Sequence, residues 1–153
     1  MPIRVLIWLE GIEQLFIKEV RTTHLRAPWI EVPKFGPSVP ESREILVVEV
    51  ETSSGVIGMG YLMLLGGGVM TIRACLEELV IPNIIGRNAT DIEGIWQEVW
   101  KKNYWVGRMG VTVMAQSAID IALWDALGKK VEMPLHRLWG HCNDRISAYG
   151  SGC

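Results

Sequence analysis

Apolar and polar positions along this chain change their spacing once, from a period of two to a period near 3.6, and that change divides the sequence. From Ile17 to Thr22 apolar and polar residues alternate, the pattern of a half-buried strand. Thr23 to Arg43 reads as a loop, because Pro28, Pro33, Pro37 and Pro40 fall there together with Gly36. Prolines this dense are excluded from helix interiors and central strands. Glu44 to Thr52 is the clearest strand, with β-branched residues crowded into Ile45-Leu46-Val47-Val48-Glu49-Val50. Ser53-Ser54-Gly55 is a tight-turn signal, and Val56 to Tyr61 returns as the next strand of a hairpin. Three antiparallel strands follow.

After Gly66-Gly67-Gly68 the period becomes helical. Ile72, Cys75, Leu76, Leu79 and Val80 recur on one face, with Arg73, Glu77 and Glu78 opposite, and Pro82 and Gly86 close the element. Thr90 or Asp91 caps a second helix whose stripe is Ile92, Ile95, Trp96, Val99 and Trp100. A third helix, Thr112 to Lys129, is apolar around most of its circumference and so demands neighbours on several sides. Strands followed by helices indicate an α+β fold, a three-stranded antiparallel meander with a three- to four-helix bundle.

Composition narrows the function classes. A chain of 153 residues can bury about 70% of its unfolded surface. Its 49% hydrophobic content and mean hydropathy of +0.22 fit either a well-filled core or an apolar surface meant for another domain or subunit. A net charge of −2 gives no electrostatic footprint for nucleic acid. No stretch reaches the ~20 apolar residues that a membrane span needs. The apolar run near Met1 is short, is followed by Glu10 and Glu13, and lacks a small-residue cleavage site, so residues 1–16 read as an N-terminal extension. Cys75, Cys142 and Cys153 are odd in number and widely spaced, against a disulfide framework or zinc site and in favour of a cytoplasmic protein.

Candidate chemistry is sparse. Asp120 and Asp125 interrupt the apolar third helix; acid–base work is one reading, and holding a neighbouring backbone or arginine is the better one. No catalytic residue and no metal-ligand set is assigned, since carboxylates at the spacing of an oxygen-ligand site are missing. The glycine run lacks the Gly-Lys-Ser/Thr of a phosphate loop and reads as a flexible segment able to hinge a lid. Of the histidines, His24 beside the proline-rich loop is the one to test, while His136 reads as packing. Trp96, Trp100 and Trp124 fall on core-facing stripes; Trp29, amid prolines, could close over a ligand or simply bury itself locally. Ser151 lacks the Gly-x-Ser-x-Gly context of a nucleophile.

Gly107-Arg108-Met109-Gly110, the run Ala115 to Lys129 with Asp120-Ile121-Ala122-Leu123-Trp124-Asp125, Pro134-Leu135 and Leu138-Trp139-Gly140 occur in an order that resembles the N-terminal capping domain of the enolase superfamily, mandelate racemase type. Gly55-Val56-Ile57-Gly58-Met59-Gly60 is similar to that domain's second hairpin, and Ile146 to Tyr149 to the first strand of the barrel that follows. The resemblance runs from about Ile17 to Cys153. It implies a capping domain over residues 17–140 and the start of a TIM-type barrel over 141–153.

The resemblance further implies a lyase or isomerase that abstracts a proton α to a carboxylate, an acid-sugar dehydratase or hydroxy-acid racemase. Lysine and histidine bases and Mg²⁺ belong to the later barrel strands. This chain alone is then expected to bind no Mg²⁺ and to be inactive. It would act with the barrel on a carboxylate small molecule, as a homo-oligomer. The alternative is a stand-alone interaction module of the same fold, pairing with itself or another chain. Two loops of the family's capping domain select substrate, and they map to about Leu25–Ser42 and Tyr61–Gly68. Candidate substrate contacts are therefore His24, Arg26, Trp29 and Lys34 from the first region and Tyr61, Met63 and Leu64 from the second. Arg26, Lys34 or Arg43 could hold a distal carboxylate or stand as solvated loop charges. The second loop carries no cation, which weighs against a doubly charged substrate.

Overall fold

A computed structural model describes residues 15–30, 42–65 and 67–150. Strands β1 (Ile17–Pro28), β2 (Ser42–Thr52) and β3 (Ile57–Leu64) form one antiparallel sheet in the order β1-β2-β3. Helices α1 (Val69–Cys75), α2 (Ile92–Lys102), α3 (Val111–Lys130) and the single turn α4 (Leu135–Leu138) follow. This is the expected α+β order.

The strands are longer than their local patterns. β1 runs to Pro28, six residues past the expected end at Thr22, because Thr23 through Pro28 pair in register with Val47 back to Ser42. Pro28 is tolerated since it ends a strand on the sheet edge, where a missing N–H breaks no ladder. β3 likewise continues past Tyr61 to Leu64, paired with Glu44. Ser53-Ser54-Gly55 is the turn between β2 and β3, with Gly55 at φ +80°. Upstream, Leu15 and Phe16 already belong to the fold. Leu15 is buried and its carbonyl accepts from Ala89 N–H, while Phe16 bridges Asn88. Met1 to Gln14 lie outside the described residues.

The helix expected across Ile72 to Val80 is α1 followed by a π turn, Leu76–Val80, and a 3₁₀ turn, Ile81–Asn83. The Ile81 N–H reaches back to Leu76 O, the wide bond that defines a π turn. That widening keeps Leu76, Val80 and Ile84 all buried. Asp91 sits at the N-cap of α2, but its carboxylate makes no capping bond; it pairs instead with Arg87 Nη2 at 2.8 Å. On α2, Ile92, Ile95 and Val99 are buried, whereas Trp96 and Trp100 are half-exposed at the margin of the stripe. Trp124 is also marginal, packing edge-on against Trp139 at 5.5 Å. Ile146 to Tyr149 is exposed and pairs with no strand among the described residues. An extended segment without a neighbouring ladder does not become a strand.

The core lies between the inner face of the sheet and the helices. Leu46, Val48 and Val50 of β2 point into it, alternating with half-exposed Ile45, Val47, Glu49 and Glu51 on the outer face. Opposite them α3 brings Ala115, Ala118, Ile119, Ala122, Leu123 and Ala126, all buried. The helix sits unusually close to β3. A Cβ on Gly60 would collide with the Ala118 carbonyl oxygen, and one on Gly58 would lie 2.7 Å from Ala126 Cβ and run into Ala122 O. Side chains from α3 then close the free edge of β3. Asp125 Oδ2 accepts from Met59 N–H at 2.7 Å, and Lys129 Nζ donates to Ile57 O at 2.9 Å and pairs with Asp125 at 2.6 Å. Unpaired edge groups are thereby satisfied. Asp125 holds a neighbouring backbone, as expected of a carboxylate in that setting.

Asp120 differs, because no hydrogen bond or ion pair to its carboxylate is found among the described residues. Burial, and then the charge of Glu93, push its pKa up from the ordinary 3.8. An acid whose pKa is raised by folding binds its proton more tightly in the native state, so stability falls as pH rises through that raised value. Asp120→Asn is expected to raise the urea midpoint at pH 7 and to leave it unchanged below the ordinary 3.8, where the carboxyl is protonated in both states. Gly60→Ala is expected to cost about 1–3 kcal/mol of stability by overpacking in the same urea titration. Gly55→Asn, at an open turn position, should cost much less.

Candidate substrate-facing site

The register fixes where the two loop regions leave the sheet. Pro28 faces Ser42, and Glu44 faces both Arg26 and Leu64, so the β1–β2 and β3–α1 connections depart from one end. Period-two alternation then splits the candidate residues between the faces of the sheet.

On the helix side, His24, Arg26 and Glu44 cluster at this end. Arg26 Nε donates to Ser42 Oγ at 2.7 Å and stands 3.8 Å from Glu44 Oε1, while His24 Nε2 is 3.8 Å from Glu44 Oε2. Ser42 is buried, and the side chains of His24 and Glu44 are only partly exposed. A carboxylate held by an arginine and a histidine, with a hydroxyl beside it, presents donors and acceptors suited to a polyhydroxylated ligand. Glu44 and Ser42 were not singled out in the sequence. Their signal is the pairing with Arg26 and Pro28, which is invisible until β1 is known to reach Pro28.

On the outer face are Tyr61 and Met63, both exposed, and Arg43, whose guanidinium stacks 4.9 Å from the Trp29 ring. Leu64 is buried in the core, because its even position on β3 turns it inward, and it lies in a strand rather than a loop. Tyr61 and Met63 are likewise strand residues. Lys34 lies outside the described residues. Of the seven candidates, the structure brings His24 and Arg26 together and sets Tyr61 and Met63 on the opposite face. Gly67 and Gly68 adopt φ of +80° and +87° in succession, which only glycine takes without strain, and lead directly into α1.

Several polar groups elsewhere have structural partners. Arg108 Nε donates to Trp100 O at 2.8 Å while its guanidinium stacks on Tyr104 at 4.9 Å, finishing the C-terminus of α2. Burial raises the Cys75 thiol above its ordinary pKa, the opposite of an activated nucleophile. His141 Nε2 lies 2.9 Å from Asp144, on an exposed segment. Among the described residues no group of three or more His, Cys, Asp and Glu is placed to hold a metal ion. No helix of the described residues is long and apolar enough to cross a membrane.

Comparison with known proteins agrees with this geometry. Residues 33–140 match the family described as mandelate racemase / muconate lactonizing enzyme, N-terminal domain. A D-mannonate dehydratase of Xanthomonas oryzae pv. oryzicola is 43% identical over 98 residues, 64% of this chain and 23% of that protein. A D-mannonate dehydratase of Novosphingobium aromaticivorans is 40% identical over 109 residues, 71% of this chain and 27% of its own length. The chain thus spans about a quarter of these relatives. The crystal structure of a racemase from Streptomyces coelicolor with bound magnesium superposes with a TM-score of 0.77 at 32% identity, over 82% of this chain and 35% of that one. L-talarate/galactarate dehydratase from Salmonella typhimurium gives 0.76 at 28% identity, over 86% and 34%. With its meander, its helices and the common origin of its two loops all accounted for, the chain belongs to the mandelate racemase/muconate lactonizing enzyme family and carries that family's N-terminal domain.

Proposed function

We propose that this chain is the substrate-selecting cap of a Mg²⁺-dependent sugar-acid dehydratase. The observation that carries the reading is the departure of both loop regions from one end of the sheet, beside the His24–Glu44–Arg26 cluster. A cap of this kind closes over the substrate, excludes water and reads hydroxyl positions, while proton transfer belongs to residues of a barrel domain. Mg²⁺, when bound there, supplies positive charge to the substrate carboxylate. His24, Arg26, Trp29 and Lys34 are assigned to substrate, and Leu64 is not. The enzyme works in the cytoplasm, as an oligomer, without nucleic acid or membrane.

The substrate class is a sugar monoacid. Tyr61-Leu62-Met63-Leu64-Leu65 brings no cation to the second loop for a distal carboxylate. Relatives named for mannonate, galactonate and arabinonate support the same choice. The rival reading, a non-catalytic module that only pairs with other chains, draws on the exposed outer face of the sheet.

The test exchanges caps. Residues 15–140 of this chain replace the equivalent residues of the Novosphingobium D-mannonate dehydratase, and turnover is measured with Mg²⁺ on a panel of sugar mono- and diacids. The expected result is activity on monoacids, with Arg26→Ala raising KM about tenfold and leaving kcat nearly unchanged. The 153-residue chain by itself should turn over none of them. Turnover by the chain alone, or a chimera that prefers diacids, overturns the reading.

A further inference from the structure

The connection between α2 and α3, Asn103–Gly110, carries a bare aromatic ring and has no part in the site built above. Trp105 is 90% exposed, Met109 is 85% exposed, and Tyr104 and Val106 are each 61% exposed. Tryptophan is on average a well-buried residue, so a ring left bare beside other apolar side chains marks an interaction surface.

The segment is firmly held. Thr112, itself buried, donates its hydroxyl to Gly107 O at 2.8 Å, and Gly107 N–H donates to Asn103 O at 2.9 Å. Arg108 ties the segment to α2 through Trp100 O, and its guanidinium stacks on the Tyr104 ring. The Tyr104 and Trp105 rings meet edge-on at 5.0 Å. An aromatic side chain presented on such a frame loses little conformational freedom when it binds.

Packing of α3 on β3 locates this segment. The two run antiparallel: a Cβ on Gly58 would meet Ala122 and Ala126, one on Gly60 would meet Ala118, and Asp125 and Lys129 reach Met59 and Ile57. Four helix residues advance about 6.0 Å and two strand residues about 6.6–6.8 Å, so helix and strand keep step. Continued from Ala118 beside Gly60, the same step brings Gly110, the N-cap of α3, level with Leu64 at the end of β3. Leu64 pairs with Glu44, and Glu44 pairs with Arg26. The α2–α3 connection therefore shares one end and one side of the sheet with the His24–Glu44–Arg26 cluster.

The two groups complement each other. The cluster offers charges and a hydroxyl, whereas a small-molecule site also takes an apolar, often aromatic lining. Carbon-bound hydrogens of a hydroxylated chain carry slight positive charge and rest favourably on the negative face of an indole ring. We propose that the α2–α3 connection is a third substrate-selecting segment, in which Trp105 lays its indole face against the carbon chain of the sugar acid. Met109 extends the apolar wall beside it, and hydroxyls on the other edge of the substrate face the polar cluster. The proposal rests on the sugar-acid reading and adds to it a selecting residue that neither loop region supplies.

The cap-exchange chimera carries the test. Trp105→Ala is expected to raise KM for D-mannonate about tenfold with kcat nearly unchanged, and Trp105→Phe, which keeps an aromatic face, to recover most of the loss. The urea midpoint of Trp105→Ala is expected to match that of the unsubstituted chimera. Ile85→Ala, beside Gly86 at the opposite end of the sheet where Gly86 N–H meets Ile17 O, should leave KM unchanged. A chimera active on sugar acids whose KM ignores Trp105→Ala overturns the proposal and leaves the functional reading intact. If that variant also has a lower urea midpoint, the ring packs on the barrel instead. A chimera that prefers diacids, yet shows the same rise in KM for them, supports the proposal and overturns the monoacid reading. Should the chimera turn over nothing, labelling with 5-fluorotryptophan decides. The fluorine resonance missing from Trp105→Phe is expected to shift as D-mannonate is added, and a resonance that stays fixed overturns the proposal.

Discussion

Backbone-close packing of α3 on β3 is the contact on which the remaining architecture depends. Gly58 and Gly60 place no side chain between strand and helix, and Ala118, Ala122 and Ala126 answer them from the helix. Such an approach brings Asp125 and Lys129 within bonding distance of the strand edge at Met59 and Ile57. The helix is thus packed on the sheet and hydrogen-bonded to its rim. A helix with a narrower apolar stripe would leave part of that close-packed surface wet; α3 is apolar on several faces because β2, β3, α1 and α2 all adjoin it.

With α3 fixed on one side, the sheet acquires two faces of different chemistry. The inner face is covered by helices, except at the loop-bearing end, where His24, Arg26, Glu44 and Ser42 form a polar group. The outer face is apolar in its middle and charged at its ends. Alternation along each strand assigns neighbouring residues to different tasks. Arg43 and Glu44 are adjacent in sequence, yet one stacks on Trp29 outside and the other lies between His24 and Arg26 inside.

Several polar side chains that could suggest chemistry hold backbone: Asp125 to β3, Arg108 to the end of α2, and Gln116 Nε2 to Trp96 O at 2.7 Å. Asp120 differs: burial raises its pKa, and its carboxylate finds no hydrogen-bond or ion-pair partner among the described residues. Family membership is shown by the match over residues 33–140.

The fold class, the three strands, the long buried helix and the structural role of Asp125 were legible in the sequence, because period and burial are local consequences of residue order. The ordered motifs from Gly107 to Gly140 also carried the family, since close helix–strand packing requires small residues at set intervals. Strand length was not legible. Thr23 to Pro28 has the local composition of a loop and becomes strand only because β2 supplies hydrogen-bond partners. The same pairing turns Leu64 inward and carries Tyr61 and Met63 to the far face, so site candidates adjacent in sequence are parted. What the sequence determined by itself was which segments prefer strand or helix and which residues must be buried. Only the tertiary structure decided which polar residues meet, because the side of a strand on which a residue falls is set by a register shared with its neighbour.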